Sequence, residues 1–124
     1  MEKNFYICNH CGNIATKLKD KKVPLFCCGE KMSELKAGTT DASTEKHVPV
    51  VELNNGCVSV VVGSVEHPMT EEHFIEWIYL LTNKGEQIKQ LLPNEKPQAT
   101  FLIASDETVE GVYAYCNLHS LWKN

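Results

Sequence analysis

No apolar run in this sequence approaches the roughly 20 residues that a bilayer-spanning helix needs. The opening Met1-Glu2-Lys3-Asn4 lacks the hydrophobic stretch of a secretion signal. A dense basic surface is missing too. The formal charge of -4 and pI near 5.7 exclude a general affinity for nucleic acid or anionic membranes. Internal repeats, glycine-rich phosphate loops and low-complexity tails are absent. The expectation is a cytoplasmic protein that engages neither membrane nor nucleic acid. What is there amounts to 124 residues, 43% of them hydrophobic, enough for one core, or for one core plus a small module held by something other than burial.

The chain has six cysteines. In a reducing compartment they read as thiolate ligands rather than disulfides. Cys8-Asn9-His10-Cys11-Gly12 and Cys27-Cys28-Gly29 form a C-x2-C-x15-C-C pattern, the spacing of a metal site in a region too short to bury much on its own. Glycines after Cys11 and Cys28 suit turns that aim backbone N–H groups at ligating sulfurs. Adjacent cysteines must splay their side chains, so a distorted tetrahedron is expected. Zinc and iron both accept four thiolates. The competing reading is a strained disulfide between Cys27 and Cys28. His10, inside the hook, reads as solvent-facing.

Residues 36–44 turn small and polar, as a linker between two modules does. β-like runs follow at 48–53, 57–62, 74–82, 86–92, 100–104 and 111–116, separated by Asn-Gly, Gly-Ser and Lys-Gly turns. Their spacing predicts a mainly β fold with an antiparallel sandwich. Phe74, Trp77, Ile78 and Leu81 also fit a helical period; the all-β neighbourhood and the following turn favour strand. Cys57, in a valine-rich strand, reads as a small core residue.

The second set of donors lies in this β region. Cys116 and His119 are three residues apart, and His47, His67 and His73 stand upstream. His47 is placed at the start of the first strand, His67 and His73 in a loop between strands, and Cys116 with His119 after the last strand. Loop and strand-end positions let a sandwich converge distant segments on one point. Each histidine alone has a bland explanation as a surface residue. A thiolate with four imidazoles exceeds the four donors of structural zinc and suits a larger, redox-capable ion, most simply iron.

Together, the C-x2-C and C-C region, Glu45-Lys46-His47, His67-Pro68-Met69 with His73, and Cys116-Asn117-Leu118-His119 resemble the desulfoferrodoxins, the two-iron superoxide reductases. The resemblance covers essentially the whole chain. It implies a desulforedoxin-like, rubredoxin-related module over 1–36 and a catalytic immunoglobulin-like β-sandwich over 37–124, in a homodimer. It implies one iron held by Cys8, Cys11, Cys27 and Cys28, a site that zinc also fits. A second iron would have His47, His67, His73 and His119 in its plane and Cys116 on its axis. Five protein donors leave one position of a six-coordinate ion open, the mark of a catalytic site, where superoxide would be reduced to hydrogen peroxide. Lys46, beside a ligand, is the local cation for the anion and a source of protons; its bland role is a solvated surface lysine. The resemblance gives Glu45 the sixth position in the oxidised state and names a rubredoxin-like protein as electron donor. The four-thiolate site has no open position, so it relays electrons or supports folding and the dimer. The rival readings are a zinc-ribbon-like interaction module joined to a partner-binding sandwich, and a plain two-iron electron carrier.

Overall fold

Each β-like run after residue 48 becomes a strand in the computed structural model, which describes residues 2–124. The chain divides into two compact units, Glu2–Lys36 and Ala37–Asn124. The first holds β1 (Phe5–Ile7), β2 (Ile14–Thr16), β3 (Phe26–Cys27), β4 (Glu30–Lys31) and β5 (Ser33–Leu35). Antiparallel pairing gives a sheet of order β2-β1-β5 and a separate β3-β4 hairpin. Of this unit's described residues only Phe5, Cys8 and Met32 are fully buried. So small a core stabilises little by burial, which leaves folding energy to be supplied at the cysteines.

The second unit contains α1 (Thr44–His47), β6 (Pro49–Asn54), β7 (Cys57–Val62), β8 (Ile75–Thr82), β9 (Glu86–Gln90), β10 (Gln98–Leu102), β11 (Val109–Cys116) and β12 (Ser120–Lys123). Two antiparallel sheets, β10-β7-β6 and β12-β11-β8-β9, enclose one core. Val58, Val60, Val62 and Phe101 face Ile78, Leu80, Val112 and Ala114 across it. The alternation in β7 is clean, with Val58, Val60 and Val62 buried and Ser59 and Val61 exposed. Cys57 shares the face of Ser59 and Val61 and is half-buried, which corrects its reading as a core residue: the two-residue period puts it on the side away from the core.

The strand reading of 74–82 holds. From Trp77 to Thr82 every residue is buried, because β8 is covered on both faces. One face carries Ile78 and Leu80 into the core. The other carries Trp77 and Tyr79, paired across to Tyr115 and Tyr113 on β11, with the Trp77 and Tyr115 rings stacked at 5.5 Å. A doubly buried strand loses its alternation and imitates a helical period.

Three placements differ from expectation. His47 closes the one-turn helix α1 instead of opening a strand. Cys116 ends β11, but β12 follows, so Cys116 and His119 lie on the β11–β12 hairpin, His119 in its turn, rather than beyond the last strand. The 36–44 stretch is not wholly free either, since Gly38 N–H donates to Leu121 O on β12 at 2.9 Å.

Candidate metal centres

In the first unit the sulfurs of Cys8, Cys11, Cys27 and Cys28 all lie within 4.8 Å of one another. The Cys11 and Cys27 sulfurs are 3.6 Å apart and those of Cys27 and Cys28 3.9 Å. A tetrahedron with bonds of about 2.3 Å has edges of about 3.8 Å, so this group fits a four-thiolate metal ion. The adjacent pair is the wider of the two, in the direction that splayed neighbours require, yet the departure is small. Cys28 takes φ 54° and Gly29 φ 75°, a left-handed turn that swings the Cys28 sulfur in beside Cys27. His10 is exposed.

Backbone amides tune these thiols. Cys11 N–H points at Cys8 Sγ at 3.4 Å and Asn13 N–H at Cys11 Sγ at 3.4 Å. The amides of Cys11 and His10 hold the Cys8 thiol down to about 6, well below its ordinary value. Sharing protons with Cys11 pushes Cys28 up to about 12. The four thiols cannot all ionise side by side without a cation.

At one end of the sandwich the second group forms from three segments. Pro49 pairs with Val62, so α1 and the segment after β7 leave from adjacent positions. Ile75 pairs with Cys116, so the segment before β8 meets the β11–β12 turn. His47, His67, His73 and His119 then form a ring of imidazoles packed edge to face. Successive centroids are 4.7, 4.6, 5.1 and 5.0 Å apart, and the His47–His73 diagonal is 6.5 Å. Donor atoms of His47, His67, His73 and Cys116 lie within 4.8 Å of one another. His119 Nδ1 joins them, 3.2 Å from His47 Nε2 and 3.9 Å from Cys116 Sγ.

The protonation pattern makes this a cation site. Nδ1 of His47 donates to Ser43 O and Nδ1 of His67 to Pro68 O, both at 2.6 Å. Each ring therefore turns an unprotonated Nε2 inward. Those two Nε2 atoms face each other at 3.2 Å, and His73 Nε2 is buried with no hydrogen-bond partner. Two lone pairs at that distance repel unless a positive ion lies between them, and metal–nitrogen bonds of about 2.1 Å set neighbouring donors about 3 Å apart. Burial is the first cause that lowers the pKa of His47 and His73 and takes His67 to about 4, which favours the neutral rings that a metal ion needs. Burial pushes the Cys116 thiol up, opposed by the amides of Leu118 and His119, which bond to its sulfur. The residues fit a metal held by four imidazoles and one thiolate.

Glu45 and Lys46 are exposed beside His47, and the Lys46 charge acts on both His47 and His73. Three further residues shape the site and were not singled out by sequence. Trp122 stacks on His47 at 4.8 Å and donates Nε1–H to His119 O at 2.9 Å. Gly63 presses on α1: a Cβ there would lie 2.6 Å from Glu45 O and 3.0 Å from Val48 O. Asn117 bonds to the backbone on either side of His73. Only Asn117, inside the Cys-x-x-His motif, stood where a sequence signal could have drawn attention.

Residues 39–124 match the family described as Desulfoferrodoxin. The chain is 48% identical over 118 residues to the desulfoferrodoxin of Nitratidesulfovibrio vulgaris, covering 95% of this chain and 92% of that protein. It is 36% identical over 102 residues to the superoxide reductase of Thermococcus kodakarensis, covering 68% and 88%. The crystal structure of the superoxide reductase from Treponema pallidum superimposes with a TM-score of 0.84 at 38% identity, covering 100% of this chain and 99% of that one. With both cysteine and histidine clusters assembled and this similarity along its length, the chain belongs to the desulfoferrodoxin family.

Proposed function

We propose that the protein is a superoxide reductase that converts superoxide to hydrogen peroxide with one electron and two protons. The observation that carries this reading is the ring of four imidazoles with the Cys116 thiol at its edge, a donor set suited to a redox ion rather than to structural zinc. Iron held there by His47, His67, His73, His119 and Cys116 would supply the electron.

The chain's own residues do the rest. Carbonyl partners lock the His47 and His67 rings with Nε2 inward, so the donors are oriented before any ligand arrives. The Leu118 and His119 amides offset part of the cost that burial sets against a Cys116 thiolate. Residues 37–124 carry five lysines against twelve acidic residues, so the unit as a whole repels an anion. Lys46 is the exposed cation beside His47 that reverses this locally, draws superoxide in and holds a proton donor for the product. Glu45, next to it, would close the site to other anions.

The ligand sets are Cys8, Cys11, Cys27 and Cys28 in a desulforedoxin-like module, and His47, His67, His73, His119 and Cys116 in the catalytic sandwich. Iron occupies both, although the four thiolates accept zinc equally well. A rubredoxin-like carrier returns the electron, and the protein works in the cytoplasm as a homodimer. Iron-loaded, reduced protein given superoxide should form hydrogen peroxide without dioxygen and use one electron per superoxide. Release of dioxygen would make it a dismutase, and failure to consume superoxide would end the reading.

A further inference from the structure

The regular ladder between β8 and β11 fails at the metal site. Its register shifts between Tyr115 and Cys116, so the pairing that holds the two strands together becomes irregular just where His73 must meet Cys116. Within the 70–73 loop, Thr70 N–H donates to His73 O at 2.9 Å, and His73 N–H donates to Thr70 O at 3.3 Å and to Thr70 Oγ1 at 3.1 Å. These bonds set the shape of the loop. They do not set where it lies against the β11–β12 turn.

Asn117 supplies that connection. Its side-chain Oδ1 accepts from Phe74 N–H at 2.9 Å, its Nδ2 donates to Glu72 O at 2.9 Å, and its own N–H donates to Phe74 O at 3.2 Å. The carboxamide is a side-chain copy of a peptide group, with one acceptor and a donor in fixed relation. Here it takes the place of the missing rung and grips the backbone at 72 and 74, on both sides of His73. Asn117 itself sits between Cys116 and His119, so one residue ties three donors to a common frame.

We propose that Asn117 is a positioning residue that holds His73 in register with Cys116 and His119. The inference rests on the reading of those three as donors to one metal. Asparagine is specified by the geometry: aspartate keeps the acceptor for Phe74 N–H but turns a carboxylate oxygen toward Glu72 O, and alanine leaves both backbone groups without this partner.

Cobalt(II) binding to the metal-free full chain tests this without reference to turnover. The catalytic-site and four-thiolate affinities are read separately from their absorption bands in the same sample. Asn117→Ala should lower the catalytic-site affinity about 10- to 100-fold, the usual cost of losing a group that orients a ligand, and leave the four-thiolate affinity unchanged. Asn117→Asp should fall between wild type and alanine. In the His73→Ala background the Asn117→Ala change should have little further effect, since the ligand it positions is gone. Unchanged affinity in Asn117→Ala, or an undiminished loss on top of His73→Ala, overturns the proposal. If Asn117→Ala does not fold, the same cycle run with Asn117→Asp decides. Wild-type protein that binds cobalt at both sites but, loaded with iron, consumes no superoxide would overturn the functional reading and leave the positioning role standing.

Discussion

The Nε2 atoms of His47 and His67 lie 3.2 Å apart, while Nδ1 of each ring is committed to a main-chain carbonyl. Neither neutral ring can supply a proton to that gap without giving up its carbonyl partner. The site is thus built around a cation, and its removal leaves repulsion in a buried place. Metal present at a hundred times its dissociation constant contributes about 2.7 kcal/mol. Chelation should therefore lower the unfolding temperature of the 37–124 unit by roughly 10 °C or more, as followed by calorimetry.

Trp122 holds two donors at once, through its stack on His47 and its bond to His119 O. It is only 2% exposed. Trp122→Ala should cost about 3–5 kcal/mol in urea unfolding. Trp122→Phe keeps a ring against His47 and loses the donor, so its cost should be nearer 1 kcal/mol.

Lys46→Ala should slow the second-order reaction with superoxide roughly tenfold at low ionic strength, with the two rates converging as salt screens the charge. Lys46→Arg should keep most of the rate. Stopped-flow or pulse-radiolysis traces at several salt concentrations measure both. Equal rates for Lys46→Ala and wild type at low salt would leave the lysine a surface residue.

Glu107 is tied down in the second unit by Thr82 Oγ1–H, which donates to it at 2.6 Å, and by Ala104 N–H at 2.9 Å. These donors, the hydroxyl first, hold its pKa below the usual carboxylate value of 4.5. A depressed carboxylate stabilises the fold at every pH above its unfolded value, and that stability is lost as pH falls through the folded one. Glu107→Gln should lower the melting temperature at pH 7, and the gap to wild type should close below about pH 4. Comparing the two proteins at each pH cancels the loss of metal in acid.

All nine residues that the structure gathers into the two clusters were legible in the sequence, because thiol and imidazole chemistry announces itself through residue type and spacing. The valine-rich run between the Asn54-Asn55-Gly56 and Gly63-Ser64 turns likewise marked β7 to the residue. Less legible was anything whose role comes from a distant partner. Trp122 reads as an ordinary apolar residue until His47, far back in the chain, is seen stacked on it. β12 is four residues long and begins at Ser120, whose φ of 65° hides a strand start behind a turn. The α1 turn is too short to show a period, and Cys57 misled because its apolar neighbours do not reveal which face of β7 it takes.

Gly63 carries a last consequence. With no room for a Cβ against Glu45 O, and with Val65 N–H bonded to that same carbonyl at 2.9 Å, the segment bearing His67 and the turn bearing Lys46 share one seam. The segment with His67 and the turn with Lys46 therefore cannot drift independently over evolutionary time. A change in the length or bulk of either segment has to be answered in the other, so paired variation of 44–48 with 63–65 is the trace this seam leaves among descendants of the fold.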